Sequence, residues 1–268
     1  MKPWKFLLIA MTFMSLASCS TKNTTNILSS TQNVFFLLAD DPGIRDFQLN
    51  FTKVYVDVKE IDYVAADSSI TKVPVADSVF NLKSLMNGNC TLLSQITIPN
   101  TVVIKQIHLV LGSDNYGTLK NGTVVHLTVP SGQQAGITIN VDETAPSTLS
   151  SYSVIIDFNV GQSIFSTGNN TYMLNPVLRS YIADVTSYIK GNISPSKLLT
   201  KVFVVKGIDT LWTVSDTTNS NYFRLSGLTS GTYTVKFMPA DTTDIADSVS
   251  VIVHSGSNIN LDTIRIAK

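Results

Sequence analysis

Apolar and polar residues alternate with a period of two along most of the chain after Val34. In the segment 53–59 three valines point one way and polar residues point the other, and Val125, Leu127 and Val129 repeat this pattern. Such alternation is typical of strands that are buried on one face. The segment 153–158 is more continuously apolar, which predicts a strand that is covered on both faces.

Turn-forming sequences separate these segments. They are Asp41-Pro42-Gly43, Asn87-Gly88, Asn121-Gly122, Pro130-Ser131-Gly132 and Thr167-Gly168-Asn169. Strands at this spacing, without a long helical period, predict antiparallel β-sandwich or barrel-like domains. Short helices are predicted only over 80–86 and 161–167. The chain is therefore predicted to be all-β.

The pattern also predicts two domains. Residues 34–185 form the first β-domain and residues 186–268, with six short strands, form the second, joined near 183–188. Residues 19–33 are polar and aperiodic, which predicts a flexible tether.

The first eighteen residues have the features of a secretory signal. Lys2 and Lys5 precede an apolar stretch over 6–14 that is too short to span a bilayer. Leu16-Ala17-Ser18-Cys19 resembles the bacterial lipobox, which implies cleavage before Cys19 and lipid attachment to its sulfur. More than one acyl chain at that position would anchor the protein stably. An ordinary secretory signal with a chance cysteine is the main alternative, and a retained membrane helix is a less favoured one.

Two further observations concern the cellular compartment of the protein and the state of its cysteines. No acidic run follows Cys19, which favours the periplasmic side of a Gram-negative-type outer membrane over the cell surface. With Cys19 acylated, Cys90 has no intrachain partner for a disulfide. We predict that Cys90 is a buried small side chain rather than a reactive thiol.

The amino-acid composition argues against nucleic-acid binding and indicates a folded chain. The chain has a formal net charge of zero and 14% charged residues, so it lacks the basic field that nucleic-acid binding requires. With 44% hydrophobic residues it can form a buried core.

Residues 34–180 resemble a family of lipoprotein domains of unknown function (family 4382). The matching segments are 37–42, 54–60, 106–112, 129–136, 156–158 and 172–179, of which Val129-Pro130-Ser131-Gly132, followed by Gly136, is the most specific. Asp41 stands where the family more often has alanine, a small departure. The resemblance implies an envelope β-domain and no assigned activity.

Residues 187–268 are similar to carboxypeptidase regulatory-like, transthyretin-like modules. The segment 223–235 carries the similarity, with Gly227 and Gly231 beside a tight turn and Tyr233 and Val235 facing inward. The similarity implies an accessory sandwich. Related starch-binding-like folds bind sugar, so a glycan role is suggested by analogy only.

The histidine residues and the nucleophile motifs of the sequence give little support to a catalytic function. The chain contains no Gly-x-Ser-x-Gly, His-Glu-x-x-His or Cys-x-x-Cys motif. His108 and His126 lie in predicted strands that could be adjacent. We favour two separate imidazoles over a metal pair, and His254 is interpreted as a surface residue.

The carboxylates offer one metal hypothesis. Asp40, Asp41 and Asp46 lie in one loop and are candidate calcium ligands, with Asp57, Asp114 and Asp157 on or beside strands. We favour aspartate as a turn former and therefore predict no cofactor. Glu60 and Glu143 are the only glutamates, and nothing places them together as a glycosidase pair.

Candidate ligand-binding residues come from a turn and from tyrosines. Ser131, Gln133 and Gln134 project from the turn between Pro130 and Gly136, where Gly132 and Gly136 are predicted to adopt positive φ. A purely structural loop is the favoured interpretation. Flat faces for a sugar or a protein could come from Tyr55, Tyr63, Tyr116 and Tyr172, although such residues in strands usually belong to the core.

The sequence thus predicts a lipid-anchored, non-catalytic binding or scaffolding module of the cell envelope. Its partner would be a glycan or another envelope protein. One alternative is an envelope enzyme with an unrecognised carboxylate or metal site. Another is a subunit of a surface fibre that accepts a donated strand at a sheet edge.

Overall fold

The computed structural model describes residues 30–40, 50–75, 79–206, 209–240 and 246–266. The predicted signal segment 1–18, Cys19 and most of the predicted tether lie outside these residues, as do Asp41 and Asp46. Among the described residues, no helix has the length and apolar character needed to cross a membrane.

The described residues up to 182 form two sheets. Their strands are β1 (Thr31–Ala39), β2 (Phe51–Ala65), β3 (Ile70–Val73), β4 (Val79–Asn81), β5 (Thr91–Pro99), β6 (Ile104–Leu111), β7 (Tyr116–Leu119), β8 (Val124–Thr128), β9 (Ile137–Asn140), β10 (Ser151–Phe158), β11 (Ile164–Gly168), β12 (Thr171–Leu174) and β13 (Leu178–Ile182). The smaller sheet has the order β13-β10-β1-β5. The larger has the order β11-β12-β8-β7-β2-β6-β9, with β3 and β4 also paired to β2.

The described residues from 187 onward form two more sheets. Their strands are β14 (Ser187–Ser194), β15 (Thr200–Lys206), β16 (Asp209–Val214), β17 (Tyr222–Leu228), β18 (Gly231–Pro239), β19 (Asp247–Val253) and β20 (Asn258–Arg265). The sheet orders are β17-β14-β20 and β16-β15-β18-β19.

The alternating apolar residues build the core of the first half. Val34, Phe36 and Leu38 of β1 are fully buried, as are Val54 and Val56 of β2. Removing such side chains from water is the main driving force of folding. Strand β10 is buried at every position over 154–158, because both of its faces are covered. The alternation in the sequence therefore predicted the inward-facing residues correctly.

A second hydrophobic cluster runs from Ile189 to Ile266. At its centre Phe223 and Phe237 meet edge to face, with ring centroids 5.7 Å apart and planes at 72°. The two clusters lie on either side of the predicted link over 183–188. The domain boundary itself, and independent folding of 186–268, stay predictions.

The all-β prediction is confirmed, but three strand pairs are parallel rather than antiparallel. They are β1 with β10, β8 with β12, and β14 with β20. Each pair joins strands that are far apart in the sequence, so the chain can return in either direction. Hydrophobic alternation determines which face of a strand is buried and does not encode its direction.

The boundaries of three predicted segments differ in the structure. The helix predicted over 80–86 is a short 3-10 turn, Leu82–Ser84, and the one predicted over 161–167 is a four-residue helix, α1 (Val160–Ser163), followed directly by β11. Positive φ at Gly168, Asn169 and Asn170 turns the chain back into β12, and this hairpin pairing outweighs helix formation. Strand β1 begins at Thr31, so the predicted tether overlaps it.

Asn87 connects the two halves through three hydrogen bonds. Its Nδ2 donates to the carbonyl of Val214 at 2.9 Å. Its Oδ1 accepts from the Thr213 hydroxyl at 2.8 Å and from the backbone N–H of Arg224 at 3.1 Å. The residue adopts a φ of 55°, which asparagine tolerates better than most residues. The halves are therefore joined by specific polar contacts as well as by the chain.

Candidate functional site

Three side chains form a row across the outer face of the larger sheet. Tyr55 of β2 is the cross-strand partner of Tyr116 of β7, and Tyr116 is the partner of His126 of β8. The tyrosine rings are stacked, with centroids 4.6 Å apart and planes at 21°. His126 is exposed because its neighbours Val125 and Leu127 point into the core. We call Tyr55, Tyr116 and His126 the aromatic row.

A pocket of about 450 Å³ adjoins the aromatic row, and His126 forms part of its wall. Its lining residues are Lys59, Leu111, Gly112, Ser113, Asn115, His126, Leu127, Thr128, Val129 and Gln134. We call this the 112–115 pocket after the loop that joins β6 to β7. An ammonium, an imidazole and two amides line it together with apolar groups, and this mixture is typical of sites for small polar ligands.

A buried carboxylate lies beneath this loop. Asp57 is 2% exposed, and its Oδ2 accepts from the Asp114 N–H at 3.2 Å and lies 3.5 Å from the Lys59 ammonium. Its Oδ1 is buried and has no hydrogen-bond partner within the described part of the chain. Any side chain at position 112 would overlap the Asp57 carboxylate, so glycine is what lets the loop close over it.

Asn115 fixes the loop in place. It is 1% exposed; its Oδ1 accepts from the Asp57 N–H at 2.9 Å and its Nδ2 donates to the Gly112 carbonyl at 2.7 Å. Its own carbonyl accepts from the Leu127 N–H at 2.8 Å. The side chain thus replaces a backbone partner between β2 and β7 and makes the pocket rigid. The sequence indicated only an ordinary turn at this position.

The two strand histidines do not meet. His108 lies on β6 and His126 on β8, and in the sheet β2 and β7 lie between these strands. Among the described residues, no group of three or more histidine, cysteine, aspartate or glutamate side chains could hold a metal ion. The interpretation of two separate imidazoles agrees with this placement.

The described aspartates of the calcium hypothesis have structural roles. Asp40 is 2% exposed, and its Oδ1 accepts from the Val160 N–H at 3.2 Å, at the start of α1. Asp157 is paired with Arg179, at 2.6 Å between Oδ2 and Nη2. Calcium binding by Asp40 with Asp41 and Asp46 stays the untested, less favoured hypothesis, because the last two lie outside the described residues.

The tyrosines predicted from the sequence divide into two pairs. Tyr63 is only 6% exposed in the core, and Tyr172 packs edge to face against Phe51 with centroids 4.9 Å apart. Tyr55 and Tyr116 are partly exposed in the aromatic row. The core interpretation therefore holds for Tyr63 and Tyr172, whereas Tyr55 and Tyr116 stay candidates for contact with a ligand.

The turn after β8 places only one of its three candidate residues at the pocket. Gln134 lines the 112–115 pocket, with its Nε2 3.5 Å from the Val129 carbonyl. Ser131 is exposed and does not line it, and the Oε1 of Gln133 is buried without a partner among the described residues. The predicted positive φ occurs at Gly136, at 115°, but not at Gly132, which lies in the 3-10 turn Ser131–Gln133.

The two glycines of this turn should therefore respond differently to substitution. Gly132→Val should change the free energy of unfolding by less than about 0.5 kcal/mol, because a Cβ there has no neighbour within 4 Å. Gly136→Val should cost about 1 kcal/mol or more, because φ is positive and Val110 is close. Urea unfolding of both variants tests this, and equal midpoints would contradict it.

Cys90 is exposed, so the prediction of a buried side chain was wrong. The residue follows the Asn87–Gly88 turn and precedes β5, where no strand pattern directs its side chain inward. Its small apolar character alone does not place it in the core.

The family model described as "Domain of unknown function (DUF4382)" matches residues 31–176. The chain belongs to this family. The aromatic row and the 112–115 pocket both lie within the matched residues and are therefore parts of the DUF4382 domain. The family description names no activity. A search of curated proteins finds no match.

Solved structures show only remote similarity to this DUF4382 protein. The Bacillus anthracis TIE protein is 10% identical with a TM-score of 0.24, covering 81% of this chain and 35% of its own. BcpA, the major pilin subunit of Bacillus cereus, is 13% identical with a TM-score of 0.23, covering 89% and 70%. A fimbrial protein from Bacteroides ovatus is 9% identical with a TM-score of 0.24, covering 88% and 50%. This chain spans about a third of the TIE protein, and TM-scores of this size carry no functional argument.

Proposed function

We propose that this DUF4382 protein is a non-catalytic binding module of the cell envelope and that its ligand is a glycan. The observation that carries the proposal is the aromatic row with the 112–115 pocket beside it. Tyr55, Tyr116 and His126 share one outward face, and polar groups of the pocket border them.

The chemistry of this surface suits a sugar. Partly exposed aromatic side chains provide apolar contact area and polar atoms with little conformational entropy to lose. Sugar rings have apolar C–H faces and many hydroxyl groups. Lys59, His126 and Gln134 supply donors and acceptors for such hydroxyls beside the rings.

The position of Asp57 favours binding over catalysis. A glycosidase or another hydrolase with a catalytic carboxylate needs that group in contact with its substrate. Asp57 is buried beneath the 112–115 loop and does not line the pocket, because Gly112 and the Asp114 N–H cover it. A ligand in the pocket therefore meets amides, an imidazole and an ammonium instead.

The proposal includes attachment to the periplasmic face of an outer membrane through lipid on Cys19. The support is the lipobox-like sequence Leu16-Ala17-Ser18-Cys19 after a basic and apolar segment. Cys19→Ala should leave a soluble chain or an uncleaved precursor, because the atom that carries the lipid is gone. Detergent partitioning and mass spectrometry of the N-terminus measure this. A membrane-associated mature chain with unmodified Cys19 would contradict the lipid anchor.

A binding array with the full chain tests the function. It should present envelope polysaccharides, oligosaccharides and envelope proteins, and each binder should be checked for chemical change after incubation. We expect a glycan to bind and to be recovered intact. Turnover of a bound glycan would indicate an enzyme. Binding only to proteins would mean that the ligand is a protein and not a glycan.

The open edge of one sheet favours a second candidate, a subunit of a surface fibre. Strand β19 is the last strand of its sheet, and its Ile252 is 63% exposed. Such an edge can accept a strand from another chain. Analytical ultracentrifugation should show concentration-dependent chains of subunits in this case. A monomer at high concentration would rule the fibre out.

A further inference from the structure

Arg224 of β17 is held in a fixed position at the junction of the two halves. Its guanidinium carbon lies 3.8 Å from the centroid of the Tyr188 ring, and its Nε donates to the Ser226 hydroxyl at 3.0 Å. Its aliphatic part lies so close to Gly88 that any side chain there would overlap it. A guanidinium held on three sides loses little further entropy when it binds a ligand.

This guanidinium has no carboxylate partner within the described residues. Its cross-strand neighbour Lys190 has none there either. Arg179, by contrast, is paired with Asp157 at 2.6 Å. Of the five N–H groups of Arg224, only the one on Nε has a side-chain or backbone acceptor among the residues that the structure describes. Within this described part of the chain, the other four N–H donors of Arg224 remain available to a ligand, and Lys190 adds a second positive charge on the neighbouring strand.

Arg224 lines a cleft of about 280 Å³ between the two halves. The opposite wall comes from the smaller sheet of the first half and is apolar, with Leu37, Ile155 and Tyr181. None of the described residues that line it is an aspartate or a glutamate. Asp184, beside the cleft, accepts a hydrogen bond from the Ser153 N–H at 2.7 Å.

We propose that this cleft binds a small apolar monocarboxylate. The carboxylate accepts from the Nη atoms of Arg224, and its apolar body packs against Leu37 and Ile155. Planar carboxylates match the guanidinium fork in both geometry and charge. The same chemistry occurs in a free organic acid and at the C-terminus of a peptide with an apolar last residue. This cleft is separate from the 112–115 pocket, since the two share no lining residue.

Cys90 provides the readout, because its exposed thiol lines the same cleft. In the full chain carrying Cys19→Ser, Cys90 is the only thiol. Hexanoate should slow its alkylation by iodoacetamide in a saturable manner, and hexanamide should act roughly tenfold more weakly or not at all, since it lacks the charge. N-acetyl-leucine and its amide form a second pair. Stronger protection by N-acetyl-leucine than by hexanoate would identify a peptide terminus, and the reverse a free acid.

Two variants distinguish binding from a structural effect. Arg224→Gln should weaken protection by hexanoate roughly tenfold or more, and Arg224→Lys should fall between this variant and the parent. Lys236→Gln is the matched control, because Lys236 also lies near an aromatic ring, 6.0 Å from Phe203, but outside the cleft. It should leave protection unchanged. Equal effects of hexanoate and hexanamide, or full protection in a folded Arg224→Gln chain, would overturn the proposal.

Discussion

Arg179→Met should lower the free energy of unfolding by about 3 kcal/mol or more, because it leaves a buried carboxylate without its counter-charge. Asp157 of β10 is 3% exposed, and Arg179 is its cross-strand partner on β13. The two are joined by a 2.6 Å contact. Arg179 also donates to the Ser226 carbonyl across the junction at 3.2 Å, so the loss extends to the contact between the halves.

Urea unfolding followed by circular dichroism measures this effect. Asp157→Asn combined with Arg179→Met should recover part of the loss, since the buried charge is then removed as well. Lys72→Met is the matched control, because its 2.6 Å pair with Glu60 is on the surface and should contribute almost nothing. Equal midpoints for Arg179→Met and Lys72→Met would show that the buried pair does not stabilise the fold.

Asn87→Ala should lower the free energy of unfolding by about 3 kcal/mol through lost hydrogen bonds alone, at about 1 kcal/mol for each of the three. Alanine at a φ of 55° adds backbone strain of about 1 kcal/mol. Because all three bonds run to the second half, the variant should also weaken the coupling between the halves, although the Arg179–Ser226 contact remains.

Two probes, one of the second half and one of the whole chain, show whether the halves unfold together. In a Trp4→Phe background the only tryptophan is Trp212, which stacks on Phe203 in the second half. Its fluorescence and the far-ultraviolet circular dichroism of the whole chain should unfold together in the parent and separately in Asn87→Ala. Asn87→Gly keeps the backbone conformation and should show the same separation at a smaller total cost. Coincident transitions in both variants would contradict the role of Asn87.

The alternation of apolar and polar residues predicted the strands and their inward-facing side chains, because the face on which a strand residue lies depends on its immediate neighbours along the chain. Val54 and Val56 alternate with polar residues, and this is sufficient to place them inside the sheet. The parallel pairing of β1 with β10 depends on a long connection whose path the alternation does not record. The burial of Cys90 was predicted wrongly for a related reason. The residue lies in a loop, where no alternation of apolar and polar positions indicates which way a side chain points.

The candidate site could be predicted only in part. Gln134, Tyr55 and Tyr116 were candidates for ligand contact in the sequence, whereas His126 was considered only as half of a disfavoured metal pair with His108. The adjacency of Tyr55, Tyr116 and His126 follows from the strand order β2, β7, β8. The calcium hypothesis did not foresee that Asp57 would be covered by the loop at Gly112. That arrangement depends on the Asn115 side chain, which completes the contact between two strands. A single sequence shows asparagine and glycine there and no more than a turn.

The most direct test of the binding surface compares three variants against the glycan that the array identifies. His126→Ala and Gln134→Ala remove exposed side chains at the aromatic row and the pocket, and His254→Ala removes an exposed histidine of the second half. Isothermal titration calorimetry should show the affinity falling roughly tenfold or more when His126→Ala and Gln134→Ala are combined, with His254→Ala equal to the parent. Unchanged affinity in the folded double variant would mean that the glycan binds elsewhere and that the aromatic row is not the binding surface.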